Sequence, residues 1–238
     1  MTTVNNIDGR PCSTAEDGVL KSYNDYGVNS DGTRWDKVYS GPAGTSSPMW
    51  SKTTTDFLGR TVLQEKPGFG GVTITNAYVY NTRGQLIRTT GTQQPPMLYA
   101  YDSLGQQIQS GLDVNTNGTL DLAGPDRVSE VSRQYTQLDG DWYDETLSLV
   151  YPNASAVPVT NAINRSSAGG LSCGCATLKS ESEDVLGHVT VSATVMDPVH
   201  RLVTKSVLSP FGTNSATSIT YNGLPVESTR SGGVVYPQ

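Results

Sequence analysis

Histidine, cysteine and charge are scarce in this chain, and each scarcity removes a class of function. Only His188 and His200 are present, while catalysis by a Ser or Cys nucleophile needs a base within hydrogen-bond reach, usually His. Both histidines fall within or beside a turn pattern, so the residues name no positioned nucleophile and base. The chain is therefore expected not to be an enzyme. Cys12 is isolated, whereas Cys173 and Cys175 form Cys-Gly-Cys in a run of small residues. With the two histidines they would make four zinc ligands, yet Cys-x-Cys is tighter than the spacing of ordinary structural zinc sites. A disulfide between them would close a small, strained ring, and two free thiols in a Gly-rich loop is the third reading.

Lys and Arg form no cluster, and the net charge is −6. Nothing is there to neutralise phosphates, so no nucleic acid partner is expected, and an anionic membrane surface is disfavoured for the same reason. No apolar run approaches the roughly 18 to 20 residues needed to cross a bilayer as a helix, so no membrane insertion is expected. Residues 1–8 lack the basic start and apolar stretch of a signal peptide. Residues 234–238 read as the opening of another strand, and excision from a longer secreted protein is the expectation. The hydrophobic fraction of 35% and charged fraction of 16% are both low for a globular domain. That balance suits a sheet with much wet surface rather than a thick two-layer core.

What the chain does have is a repeat. Tyr78-Val79-Tyr80-Asn81-Thr82-Arg83-Gly84-Gln85-Leu86-Ile87 is matched, 21 residues on, by Tyr99-Ala100-Tyr101-Asp102-Ser103-Leu104-Gly105-Gln106-Gln107-Ile108. Tyr-x-Tyr puts two rings on one face of an extended strand. Asx at the first turn position and Gly at the fourth are type I turn preferences, and Gly accepts the left-handed conformation that closes longer hairpin loops. Each unit reads as strand, tight turn, strand. The frame recurs wholly or in part at Tyr23-Asn24-Asp25-Tyr26-Gly27, Asp56-Phe57-Leu58-Gly59-Arg60, Asp184-Val185-Leu186-Gly187-His188, Asp197-Pro198-Val199-His200-Arg201 and Tyr221-Asn222-Gly223-Leu224-Pro225. His200 and Pro225 occupy the Gly position, so those two turns must close differently.

The pattern Tyr-x-Tyr-Asp-x-x-Gly-Arg/Gln-aliphatic resembles the YD repeat, or RHS repeat, of bacterial Rhs proteins, the shell components of insecticidal Tc toxins, and teneurins. The resemblance implies an all-β fold class: consecutive antiparallel β-hairpins forming a curled or spiralling sheet, part of a YD-repeat shell. It implies a non-enzymatic structural module of a bacterial secreted or cell-surface protein. Its partners would be other parts of a longer RHS polypeptide or an encapsulated effector domain. The Tyr residues are expected to pack ring on ring between neighbouring hairpins. An incomplete spiral leaves open strand edges, which invite pairing. Edge-to-edge self-association is therefore expected, unless residues 1–20 or 111–170 cap the edges.

Four segments follow: an irregular N-terminal arm at 1–22, repeat hairpins at 23–110, an insertion at 111–177, and repeat hairpins again at 178–238. Within the insertion, 128–151 reads as a further hairpin and 152–170 as an Asn-, Ser-, Ala- and Pro-rich loop. Asp113, Asn115, Asn117, Gly118 and Asp121 fall at positions 1, 3, 5, 6 and 9 of an EF-hand-like calcium loop, with Thr119 between the last two. Oxygens at alternate positions converge on one hard cation when Gly lets the loop curl. The twelfth position is Gly124 in place of a bidentate Glu, no helix pattern flanks the loop, and Asp126 is the nearest substitute carboxylate. A Ca2+ site at Asp113, Asn115, Asn117, Thr119 and Asp121 and a plain Asn/Gly-rich turn are both open readings. Ca2+ is the only cofactor the chain suggests.

Acidic groups such as Glu181, Glu183 and Asp184, or Asp139, Asp141, Asp144 and Glu145, are explained as solvated turn residues. A glycosidase would need two carboxyls at a defined separation across a groove. A second function class is an adhesive or carbohydrate-binding surface module, stiffened by calcium. Exposure of Trp50 or Trp142 beside a groove would favour it.

Overall fold

The computed structural model describes residues 1–138, 140–152, 155–168, 176–208, 216–230 and 234–237. The fold is all-β, a succession of antiparallel hairpins. It divides into two compact units, residues 1–106 with 110–121 and residues 107–109 with 122–238. The first holds β1 (Thr2–Asn5), β2 (Pro11–Glu16), β3 (Val19–Val28), β4 (Arg34–Ser40), β5 (Trp50–Thr55), β6 (Thr61–Pro67), β7 (Thr73–Tyr80), β8 (Leu86–Gly91) and β9 (Met97–Tyr101). Each pairs with the next in antiparallel register. β10 (Gln107–Leu112) is divided between the units. The second unit continues with β11 (Arg127–Leu138), β12 (Asp141–Val150), β13 (Val159–Ser167), β14 (Ala176–Asp184), β15 (Val189–Asp197), β16 (Leu202–Leu208), β17 (Ala216–Tyr221), β18 (Leu224–Arg230) and β19 (Val234–Pro237). These too pair in sequence order.

The expected scarcity of core is present. Among the described residues the buried apolar side chains are Leu98, Val128 and Tyr143. The chain leaves 15248 Å² accessible, against about 10,000 Å² for a globular monomer of this mass. With so little apolar burial, the turns and cross-strand pairs must carry much of the register.

The turns do this by one recurring device. At residues 56–60 the Asp56 N–H donates to the Arg60 carbonyl at 2.9 Å and the Gly59 N–H to the Asp56 carbonyl at 3.0 Å. The same pair of bonds closes the turns that begin at Asn6, Asn29, Asn81, Asp102 and Asp184. In four of them the Asx side chain closes the loop from inside: Oδ1 of Asp56, Asn81, Asp102 and Asp184 accepts from the backbone N–H two and four residues on. The fourth residue is Gly with φ between 79° and 90° in all six, the left-handed region that L side chains avoid. The position after Gly favours Arg, Gln or His because that side chain folds back on the Asx. Arg60 Nε and Nη2 each lie 2.7 Å from Asp56 Oδ2, and Asn81 Nδ2 donates to Gln85 Oε1 at 2.8 Å.

Tyrosine then ties three of these turns to the next hairpin. The Tyr80 hydroxyl donates to the Thr61 carbonyl at 2.9 Å, Tyr101 to Leu86 at 2.7 Å, and Tyr26 to Pro11 at 2.8 Å. In each case the acceptor stands five residues after the Asx that opens the preceding turn, namely Asp56, Asn81 and Asn6. Arg60 lies over the Tyr80 ring at 4.6 Å and Arg10 over the Tyr26 ring at 4.1 Å. The ring-on-ring packing expected between hairpins is thus replaced by hydroxyl-to-carbonyl bonds and cations over rings. Among the described residues the ring pair that does occur, Tyr23 with Tyr39, tilted by 56°, lies within one hairpin.

Several expectations are corrected. Residues 1–22 are regular, forming β1, β2 and the start of β3. The Asn6 turn carries its acid at Asp8, and Asp17-Gly18, with φ of 50° and 78°, makes a two-residue hairpin turn. Tyr23 to Gly27 is not a turn but the middle of β3. Gly27 is there because Trp35 on β4 lies across it, so close that a Cβ would stand 2.3 Å from the indole. Residues 159–167, expected as loop, form β13, held by partners on both sides; strand formation here follows neighbours more than composition. The turns at His200 and Pro225 do close differently. Arg201 takes the positive φ, 57°, one residue later, and Asn222-Gly223, at 50° and 81°, makes a two-residue turn.

Candidate functional site

The candidate calcium loop leaves β10 at Asp113, whose N–H donates to the Pro96 carbonyl at 2.9 Å within the first unit. Thr116 and Gly118 take positive φ, 58° and 86°, and curl the backbone inward. Asp113 is 1% exposed, and its two carboxylate oxygens accept from the N–H groups of Asn117, at 3.0 Å, and Gly118, at 2.8 Å. Asp121 Oδ2 accepts from Asn115 Nδ2 at 2.8 Å and Asn117 Nδ2 at 2.6 Å. Those amides hold the Asp121 carboxyl below the usual carboxylate range. Thr119 Oγ1 donates to Asn117 Oδ1 at 2.8 Å. The five residues named from spacing are therefore brought together in one knot.

The chemistry of that knot is two carboxylates with amide and hydroxyl oxygens. Among the described residues no group of three or more His, Cys, Asp or Glu forms a metal set, so calcium would depend on the neutral oxygens. The O and N atoms of Asn115 and Asn117 exchange places when the amides turn over. Turned, both oxygens would face Asp121 in place of two donors. Asp126 is 2% exposed and belongs to the second unit.

The histidines close their own turns. His188 Nδ1 lies 3.0 Å from Asp184 Oδ2 and His200 Nδ1 2.6 Å from Asp197 Oδ2. The His188 backbone N–H lowers the Asp184 carboxyl, and the His200 ring lowers that of Asp197. Cys173 and Cys175 lie outside the described residues.

The second unit has two unlike faces in the stretch β11 to β15. One carries Tyr143 and Glu145, both buried. Here Arg165 reaches Glu145 at 2.6 Å, Glu183 at 3.2 Å and Glu181 at 3.6 Å, and Gln134 also donates to Glu145. The other face is open and was not foreseen as a site beyond Trp142. Registers Asp144↔Ser166↔Ser180↔Ser192 and Thr146↔Asn164↔Ser182↔Thr190 place two polar rows across β12, β13, β14 and β15. Together they floor a shallow groove of about 310 Å³. Trp142 and Tyr135, 54% and 71% exposed, flank it on the same face, because Asp144 lies two residues from Trp142 and opposite Tyr135. Trp50 is half-buried, with Lys37 4.2 Å from its ring.

Comparison with protein-family models found no match, and comparison with curated proteins found none either.

Proposed function

We propose that this chain is a non-enzymatic structural module: a run of YD-type hairpins forming part of a β-shell or scaffold in a bacterial secreted or cell-surface protein. Its neighbours would be other parts of that polypeptide or a domain it encloses. The observation that carries this reading is the tyrosine tie, repeated at one fixed offset from three of the six Asx-Gly turns. A device that recurs in register and spends its polar groups on neighbouring hairpins serves assembly of the sheet; it presents nothing to a substrate.

The reading makes the unit removable. Deleting residues 81–101 joins Tyr80 to Asp102 in the same frame, and the shortened protein is expected to melt cooperatively with an unchanged β circular-dichroism signature. Deleting residues 81–90 instead, which breaks the frame, is expected to abolish the transition. Equal behaviour of the two deletions would sink the repeat-scaffold reading.

A second reading, calcium stiffening of an adhesive module, is favoured by Asp113. A carboxylate taken out of water is costly unless its charge is compensated, and here the compensation within the loop is two backbone N–H groups. Ca2+ bound to Asp113, Asn115, Asn117, Thr119 and Asp121 would supply it. Excess calcium is expected to raise the melting temperature relative to chelator, and Asp121→Ala to remove that rise. Superimposable melts in calcium and chelator would end the calcium reading.

A further inference from the structure

The open face of the second unit holds polar groups that the fold does not use. Among the described residues, the side chains of Thr146, Asn164, Ser166, Ser180, Ser182 and Thr190 make no hydrogen bond to protein. Where hydroxyls do bond one another across strands, as Thr75 with Thr92 and Thr14 with Ser22 in the first unit, the pair is used up within the sheet. The unused groups recur at the strand spacing of about 4.8 Å, forming a regular grid of donors and acceptors over four strands.

The grid carries little charge. Arg165 and Glu181 also border the groove, but strand alternation sends their side chains to the opposite face, where they pair at 3.6 Å. Asp144 is the one carboxylate in the two rows, and neither row contains Lys or Arg. Two cations stand on the same face at the margins of the rows, Arg133 on β11 opposite Thr146 and Lys205 on β16 opposite Thr194, so the charges there are of both signs and the floor between them is left to neutral Ser, Thr and Asn. At the β11–β12 end, Tyr135 and Trp142 are diagonal neighbours across the strand pair, within reach of one another. They offer flat, amphipathic surfaces next to the polar floor.

We propose that this face binds an uncharged oligosaccharide. The chain would lie across β12 to β15, its hydroxyls meeting the Ser, Thr and Asn rows and one sugar ring stacking on Trp142. A peptide would instead seek a strand edge for its backbone, and the rows offer only side chains. The inference goes beyond the scaffold reading and does not rest on it, since a scaffold can carry such a face or lack it.

The test is affinity electrophoresis of the full chain in native gels containing dextran, xylan, galactomannan or hydroxyethylcellulose, with alginate as the anionic comparison. Retardation by at least one neutral polysaccharide is expected. Trp142→Ala should weaken it about tenfold, the loss of roughly one stacked ring, while Trp50→Ala leaves it unchanged. Ser180→Asp with Ser182→Asp should abolish it. Thermal melts of each variant separate loss of binding from loss of fold. No retardation by any neutral polymer, retardation by alginate alone, or equal retardation of wild type and Trp142→Ala would overturn the proposal.

Discussion

Tyr80 shows how one hydroxyl links sequence to sheet order. Its ring lies under the Arg60 guanidinium, and its O–H donates to a carbonyl of the preceding hairpin. Arg60 is itself held by Asp56, so one line of contacts runs from a turn acid to the neighbouring strand. Tyr80→Phe keeps the ring and the cation above it and removes only the hydrogen bond, which should cost about 1 kcal/mol. Urea unfolding measures this, and an unchanged midpoint would mean the bond contributes nothing to stability. The hydroxyl's partner could not be read from the residues, because a backbone carbonyl leaves no mark in a sequence. The Asp56, Asn81, Asp102 and Asp184 turns could be read, because Asx and Gly act on backbone within four residues of themselves.

At the scale of elements, strands β12, β13 and β14 are joined on their closed face by Arg165, one cation shared by three carboxylates. Replacing it with Met leaves Glu145 buried without its counter-charge and should cost roughly 3 kcal/mol. The same cluster sets a pH response. Burial alone would raise the Glu145 carboxyl, but the hydrogen bonds from Gln134 and Arg165 outweigh it and hold the group below its ordinary value. A depressed carboxylate contributes stability that is present above its unfolded pKa, about 4.3, and lost as pH falls through the folded value. The urea midpoint of the wild type should therefore drop between about pH 6 and pH 3 by more than that of Glu145→Gln; parallel curves would remove Glu145 from the acid response. Element assignment failed in the sequence where a residue type had two uses. Gly27 resembled a turn glycine, yet it makes room for the Trp35 indole on the next strand, a contact set by cross-strand register. The Asn6 turn has the full Asx-x-x-Gly-Arg frame, from Asn6 to Arg10, but no Tyr-x-Tyr precedes it to mark it as a repeat unit. The oxygen spacing of the loop from Asp113 to Asp121 was visible, whereas the burial of Asp113 was not. The open face beside Trp142 became visible only with the pairing of four strands.

Across the whole molecule the governing quantity is uncovered surface. About half as much again is accessible as in a globular monomer of this mass, and among the described residues Ile7, Phe57, Leu104 and Val199 at the turn tips are more than three-quarters exposed. Two consequences follow from one cause. Unfolding uncovers less new surface than usual, so the urea m-value should fall below that of globular domains of equal length. Apolar surface and strand edges left to water also favour association with further sheet. Sedimentation velocity over a concentration series should show the mean mass rising with concentration, equally in calcium and in chelator, since the Asp113 loop is tied within its own unit. A monomer at every concentration would mean the chain caps its own edges and would end the edge-association argument. Large species that dissolve on chelation would instead place the loop in the contact between copies and make calcium the agent of assembly.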